Sequence, residues 1–154
     1  DGIIPAADYY VEGVSIYNNR ITAAGYGINL NDAKNNKIIS NTIIGDGYDN
    51  SDPQREQYNG IRISTGSTGN VINSNTISGI HQTGILLYDN ASATTVNGNT
   101  ISNCSAYGIR LNKNCSVTDS MKDNMIHGCP QGAILTGEKS GCTVANGISQ
   151  NTIY

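Results

Sequence analysis

The sequence contains neither Trp nor Phe, and its only aromatic residues are nine Tyr. Charged residues make up just 14% of the chain, and the net charge of −3 argues against nucleic acid as a partner. No apolar run approaches the length of a membrane span. The sequence also lacks a Cys/His metal-binding spacing, a phosphate-binding glycine loop and a Ser/His/Asp constellation. None of these common functional motifs therefore indicates what the protein does.

Three residue types dominate the composition: 21 Asn, 21 Ile and 18 Gly. Disorder is excluded because so much Ile would remain in contact with water. A helical protein is excluded because Asn, Gly and Thr are poor helix formers. Ile and Thr favour strands, whereas Asn and Gly favour turns. The composition therefore predicts an all-β protein with many tight turns.

The chain is built from two alternating repeat units. The first unit places an Asn before a strand and recurs as Asn41-Thr42-Ile43, Asn75-Thr76-Ile77, Asn99-Thr100-Ile101 and Asn151-Thr152-Ile153. The second unit has the form Gly-Ile-x-Leu and begins at Gly27, Gly60, Gly84, Gly108 and Gly132. The last four of these glycines are evenly spaced along the chain. A single repeat of this kind cannot bury its own apolar residues, so the repeats must stack.

Stacked repeats of this length predict a parallel β-helix of about six coils, each of about 24 residues, that forms one domain over residues 1–154. The recurring Asn is expected to bond its amide to the Asn of the next coil. Leucine-rich repeats need several Leu per repeat, and propellers carry Trp, so neither fits. The chain starts at Asp1-Gly2 and stops at Ile153-Tyr154 as a new strand begins, which predicts a piece of a longer protein.

The two repeat phrases, over residues 11–154, resemble the right-handed parallel β-helix repeats of the pectate-lyase-like superfamily, and are similar to those of alginate epimerases and phage tailspikes. The resemblance implies a secreted, cell-surface or virion-surface module that binds polysaccharide. Two functions stay open: part of a lyase, hydrolase or epimerase acting on an acidic polysaccharide, or a non-catalytic adhesin or tailspike-like solenoid. Other candidate partners are a second copy of the chain and the remainder of a longer chain.

The outward positions of the Gly-Ile-x-Leu strands are the first candidate site. Period-two alternation gives a central outward column formed by Asn29, Arg62, Leu86, Arg110 and Ile134. Arginines can hold uronate carboxylates in a bidentate fork, and tyrosines can stack on sugar faces. The substrate-binding candidates are therefore Tyr26, Arg62, Tyr88, Tyr107 and Arg110. The alternative is that these side chains only keep an exposed strand soluble.

A long polar insertion is the second candidate site. The step from Gly27 to Gly60 is longer than the regular step, and the excess falls in a loop over residues 45–58. Candidate catalytic acids and bases are Asp46, Asp49, Asp52, Glu56 and His81. The three aspartates are also a candidate Ca²⁺ site, the only cofactor considered. Within the loop, 52–56 resembles the Asp-Pro-His motif of mannuronan C5-epimerases, but Gln54 replaces the His, so no role is carried over. A plain solvated loop is the alternative.

The four cysteines fall at equivalent positions in successive coils. Cys104 and Cys129 each follow the strand Ile by three residues, and Cys115 and Cys142 each precede the next apolar anchor by six. Each pair is therefore expected to stack one coil apart, at ~4.8 Å. Parallel neighbours in register point their Cβ atoms the same way, which strains a disulfide and favours reduced, stacked thiols over bridges.

Overall fold

The computed structural model describes residues 2–3, 10–46, 58–137 and 141–154. These residues form short strands joined by turns, and none of them is helical. Every pairing between the strands is parallel, and each strand pairs with its equivalent in the next coil. The chain is a β-solenoid of about five complete turns, which agrees with the predicted parallel β-helix.

Three sheets run along the axis, and each turn of the chain contributes one strand to each. Sheet 1 contains Ser15–Tyr17 (β2), Lys37–Ile39 (β6), Asn70–Asn73 (β9), Ser92–Asn97 (β12), Ser116–Lys122 (β15) and Thr143–Val144 (β18), with Ile148–Ser149 (β19) also paired to β15. Sheet 2 contains Arg20–Ala23 (β3), Thr42–Gly45 (β7), Thr76–Ser78 (β10), Thr100–Ser102 (β13), Met125–His127 (β16) and Thr152–Ile153 (β20). Sheet 3 contains Ile28–Asn31 (β4), Ile61–Ser64 (β8), Ile85–Tyr88 (β11), Tyr107–Asn112 (β14) and Gly132–Thr136 (β17). Val11–Glu12 (β1) and Ala33–Lys34 (β5) form a separate pair.

Columns of stacked aliphatic side chains fill the interior. In sheet 2, Ile43 pairs with Ile77 and Ile77 with Ile101, and all three are essentially inaccessible to solvent. Sheets 1 and 3 contribute equivalent columns of Ile, Leu and Val. Burying a side chain of this size stabilises the fold by roughly 1.5–3 kcal/mol, so the columns supply most of the driving force for stacking.

Glycine opens sheet 3 because the corner leaves no room for a side chain. A Cβ added to Gly84 would lie 2.5 Å from Cγ2 of Ile101 and 2.7 Å from the carbonyl oxygen of Gly108. Both distances are shorter than real Cβ contacts. Packing between sheets 2 and 3 therefore requires glycine here, and equally at Gly27, Gly60 and Gly108.

The register of the last coil differs from the sequence prediction. Ile109 pairs with Ile134, and Arg110 pairs with Leu135, so this step is one residue longer than the step from β11 to β14. The extra residue lies in β15, where the pairing with β12 shifts between Val117 and Ser120. The prediction that Ile134 joins the outward column is therefore wrong, because a bulge in sheet 1 displaces the following strand by one position.

Candidate functional site

The outer side of sheet 3 carries the predicted central column. Arg62 pairs with Leu86, and Leu86 pairs with Arg110, so the two arginines are two coils apart, ~10 Å along the axis. Leu86 lies between them and is only 8% exposed. We call the surface formed by Tyr26, Arg62, Tyr88, Tyr107 and Arg110 the arginine–tyrosine face.

Arg62 is held between two tyrosine rings. Its Nη1 donates a hydrogen bond of 3.0 Å to the Tyr26 hydroxyl, and its Cζ lies 5.5 Å from the ring centroids of both Tyr26 and Tyr88. Tyr26 is itself supported by an edge-on contact with Tyr58, with ring centroids 5.5 Å apart. Aromatic rings thus fix the orientation of the guanidinium, and among the described residues no carboxylate pairs with it.

The same arrangement of cation and ring continues along the axis. Arg110 lies over the Tyr107 ring, with Cζ 5.3 Å from the centroid, and Lys113 Nζ lies 4.5 Å from the centroid of Tyr88. A hydrogen bond with Tyr88 raises the pKa of Lys113, which keeps its ammonium group charged at neutral pH. Sequence analysis missed Lys113 because this residue lies in the turn after β14, outside the strand alternation.

Three buried polar atoms on this face have no hydrogen-bond partner among the described residues. They are Nε of Arg62, Oδ1 of Asn29 and Oδ1 of Asn112. Asn29 pairs with Arg62 across the sheet, and Asn112 pairs with Tyr88, so all three atoms border the arginine–tyrosine face. Buried polar atoms are usually satisfied, and the set contains both a donor and acceptors. Hydrogen-bonding capacity is therefore concentrated on the same side of the molecule as the three cations.

The structure brings together two of the residues predicted for acid–base chemistry. His81 Nε2 lies 3.1 Å from Oδ1 of Asp46, and the imidazole is almost completely buried. His81 precedes Thr83 by two residues, so the pair lies at the turn that leads into sheet 3. Carboxylate–imidazole contacts of this kind fix the orientation and tautomer of a histidine.

The remaining candidates of the insertion cannot be placed. Asp49, Asp52 and Glu56 lie outside the described residues, as does most of the 45–58 loop, and so does the candidate Ca²⁺ site they would form with Asp46. On either side of the insertion, Ile28 pairs with Ile61, so the described strands keep their register across the lengthened step. Within the described part of the chain, no three His, Cys, Asp or Glu side chains converge in a way that would hold a metal ion.

A family model described as the right-handed β-helix region matches residues 7–153. The chain belongs to the right-handed β-helix family. No curated protein and no solved structure matches it. Membership of the right-handed β-helix family agrees with the three parallel sheets and with the repeats that predicted them. In the described residues of this β-helix, no helix is long and apolar enough to cross a membrane.

Proposed function

We propose that this β-helix is a carbohydrate-binding module of the pectate-lyase-like type, and that it holds an acidic polysaccharide along the arginine–tyrosine face. The observation that carries the proposal is Arg62, whose guanidinium lies between the rings of Tyr26 and Tyr88 and has no carboxylate partner among the described residues. A planar cation fixed in this way is suited to a bidentate contact with a uronate carboxylate.

The geometry of the sheet matches a polymer that runs parallel to the solenoid axis. Each coil advances ~4.8 Å, so Arg62 and Arg110 are separated by ~10 Å, close to the length of a disaccharide unit. Tyrosine rings lie beside both arginines and offer apolar faces against which sugar rings can stack. A ligand of this kind would place the module outside a cell or on a virion surface.

Removing both arginines tests the proposal. Each charge-assisted hydrogen-bonded pair contributes roughly 1.5–3 kcal/mol, so Arg62→Ala combined with Arg110→Ala should weaken binding of polygalacturonate or alginate by about a hundredfold or more. The matched control is Arg20→Ala combined with Lys37→Ala, which removes the same charge from exposed positions of sheets 2 and 1. Isothermal titration calorimetry on both variants separates the loss of contacts at the arginine–tyrosine face from the loss of two positive charges. An equal loss of polysaccharide affinity in the two variants would contradict the proposal.

The tyrosines provide an independent check. Tyr88→Ala should weaken binding of the same polysaccharides because it removes the ring that positions both Arg62 and Lys113. Tyr17, which is 62% exposed on sheet 1, is the matched control, and Tyr17→Ala should leave affinity unchanged. A loss of affinity confined to Tyr17→Ala would move the binding site to sheet 1.

The contact between the buried His81 and the exposed Asp46 favours a second candidate function, cleavage or epimerisation of the bound polysaccharide. An oriented imidazole at the turn into sheet 3 can move a proton to or from a sugar ring that reaches it. Product analysis after incubation with each polysaccharide that binds tests this function. Turnover that falls in His81→Gln and Asp46→Asn, without loss of binding, supports catalysis. Binding without any product from the unaltered protein supports a non-catalytic module.

A further inference from the structure

Two pairs of thiols lie one above the other at the corners of the solenoid. Ser102 pairs with His127. Cys104 lies two residues after Ser102, and Cys129 lies two residues after His127, so both are at the corner between sheets 2 and 3. The amide of Thr143 donates to the carbonyl oxygen of Cys115, which sets Cys142 beside Cys115 between sheets 3 and 1. All four cysteines are free in the structure. Their predicted columns are confirmed.

The strand spacing sets the distance between stacked thiols. Parallel strands in register keep equivalent Cβ atoms ~4.8 Å apart and pointing the same way. A disulfide needs its Cβ atoms to be ~3.8 Å apart. Metal–thiolate bonds are ~2.3 Å long, so two thiolates on opposite sides of one metal ion are separated by ~4.6 Å. The spacing of the coils therefore suits a bridging ion better than a direct S–S bond.

We propose that Cys104 and Cys129 form a two-coordinate site for a soft, thiophilic monovalent cation of the Cu(I) class. Soft thiolate ligands select such cations over Zn²⁺ or Ca²⁺. Zn²⁺ would require further ligands, and the described residues supply no third His, Cys, Asp or Glu at either corner. Binding converts two thiols to two thiolates, releases two protons and leaves the metal oxidation state unchanged. The site is independent of the proposed carbohydrate face.

The environment of this pair favours binding. Cys104 is 1% exposed, whereas Cys129 is partly exposed and gives the ion a path from solvent. The hydrogen bond with the neighbouring thiol of Cys104 lowers the pKa of Cys129. The same hydrogen bond, together with burial, raises the pKa of Cys104.

The second pair is less suited to the same role. The Cys115 thiol donates a hydrogen bond of 2.9 Å to the carbonyl oxygen of Asn112. The thiols of Cys104 and Cys129 have only longer contacts with backbone oxygens, at 3.7 and 3.5 Å. Burial raises the pKa of Cys115 to about 11, so this thiol gives up its proton less readily. The Cys115–Cys142 pair therefore serves as an internal control.

Silver ion, a redox-inert probe of the same class, tests the site. The reduced protein is loaded with one equivalent of Ag(I), challenged with excess glutathione and analysed by native mass spectrometry. Joining two ligands in a fixed geometry raises affinity by roughly 10²–10⁴ over a single ligand. The unaltered protein should therefore retain one Ag(I), and Cys129→Ser should bind it at least about a hundredfold more weakly. Cys142→Ser should retain Ag(I) like the unaltered protein.

The proposal would be overturned by retention of Ag(I) in Cys129→Ser, by complete stripping of the unaltered protein by glutathione, or by loss of Ag(I) from Cys142→Ser. Cys104→Ala is a second variant, which removes the buried thiol of the site and should also lose Ag(I). Far-UV circular dichroism on each variant separates loss of the ion from loss of the fold. A Cys104–Cys129 disulfide mapped in the untreated protein would also contradict the site, because the S–S bond would consume both thiols that bind the ion.

Discussion

At the scale of single residues, asparagine does more than form turns. The amide of Asn41 donates to Oδ1 of Asn75 at 3.0 Å, and the amide of Asn75 donates to Oδ1 of Asn99 at 3.0 Å. The backbone amide of each residue donates to the same oxygen, at 2.9 and 3.0 Å. The predicted ladder is confirmed, and it satisfies polar groups that a buried corner would otherwise leave unpaired.

An interior member of this ladder should be far more important than a terminal one. Asn75→Ala removes the acceptor of two Asn41 donors and the donor to the carbonyl of Ile38, all buried. Each unsatisfied group costs roughly 1–3 kcal/mol, so the free energy of unfolding should fall by about 3 kcal/mol or more. Asn19→Ala, at the exposed end of the same ladder, should cost no more than about 1 kcal/mol. Urea denaturation measures both, and equal losses would refute the ladder as a stabilising element.

The Cys115 thiol should make stability depend on pH in the alkaline range. Burial raises its pKa from the ordinary value of 9.0 to about 11. Between these values the unfolded chain loses the proton while the folded chain keeps it, so stability falls as pH rises above 9. One pKa unit corresponds to about 1.4 kcal/mol, so the contribution is at most roughly 3 kcal/mol, and less where water screens the charge. The drop in unfolding free energy from pH 8 to 11 should be smaller in Cys115→Ala. An unchanged drop would show that this thiol ionises normally.

At the scale of elements, the sequence predicted the strands and most of their register. Period-two alternation after Gly60, Gly84 and Gly108 identified the outward column, because each glycine occupies a corner that excludes a Cβ. The same reasoning failed at Gly132, which pairs with Tyr107 rather than with Gly108. The bulge in β15 lengthens this coil by one residue, so Gly132 stands one place before the corner position. The even spacing of the glycines therefore concealed the shift.

A second pair of stacked asparagines was not predicted, although it forms the same kind of side-chain hydrogen bond. The amide of Asn36 donates to Oδ1 of Asn70 at 3.0 Å, and the amide of Asn70 donates to the carbonyl of Ala33 at 2.9 Å. The pair occurs across the step that contains the insertion, and the next coil has no equivalent Asn. A single pair separated by 34 positions cannot be recognised as a repeat.

The insertion between β7 and β8 should be dispensable for folding. The step from Ile28 to Ile61 is nine residues longer than the step from Ile61 to Ile85. Deleting residues 48–56 therefore leaves a coil of regular length, and loop-closure entropy changes little. The far-UV spectrum and cooperative unfolding should persist. If the insertion serves the proposed polysaccharide site, affinity should fall in the same variant. A deletion variant that fails to fold would show that the loop is a structural part of the coil.

At the scale of the whole molecule, the amino-acid sequence of a solenoid predicts its fold well and its function poorly. Stacking depends on the inward residues, which recur and therefore stand out as a pattern. The contacts among Tyr26, Arg62 and Tyr88 join residues from three coils at outward positions that do not repeat. The approach of His81 to Asp46 depends in addition on how the chain leaves β7. The columns were predictable for this reason, whereas Lys113 and the unpaired polar atoms required the three-dimensional structure.

The last consequence of the architecture is a gradient of stability along the axis. Each coil contacts only its neighbours, so the terminal coils should open more readily than the central ones. In the last coil Ile148 and Ile153 are 45% and 60% exposed, whereas Ile77 in the centre is fully buried. Terminal opening should therefore need much less free energy than central opening.

The repeated tripeptides make this gradient measurable with matched probes. Thr76 and Thr152 both follow Asn and precede Ile, and each amide donates a 2.8 Å hydrogen bond to an Asn carbonyl of the preceding coil. Their intrinsic exchange rates and local bonds are therefore the same, and any difference in protection reports position along the axis. Hydrogen exchange followed by NMR should show the Thr152 amide exchanging at least about a hundredfold faster than that of Thr76. Thr100, with the same tripeptide and bond length, should behave like Thr76. Equal protection of Thr76 and Thr152 would mean that all coils unfold as one cooperative unit, because only global opening would then expose either amide.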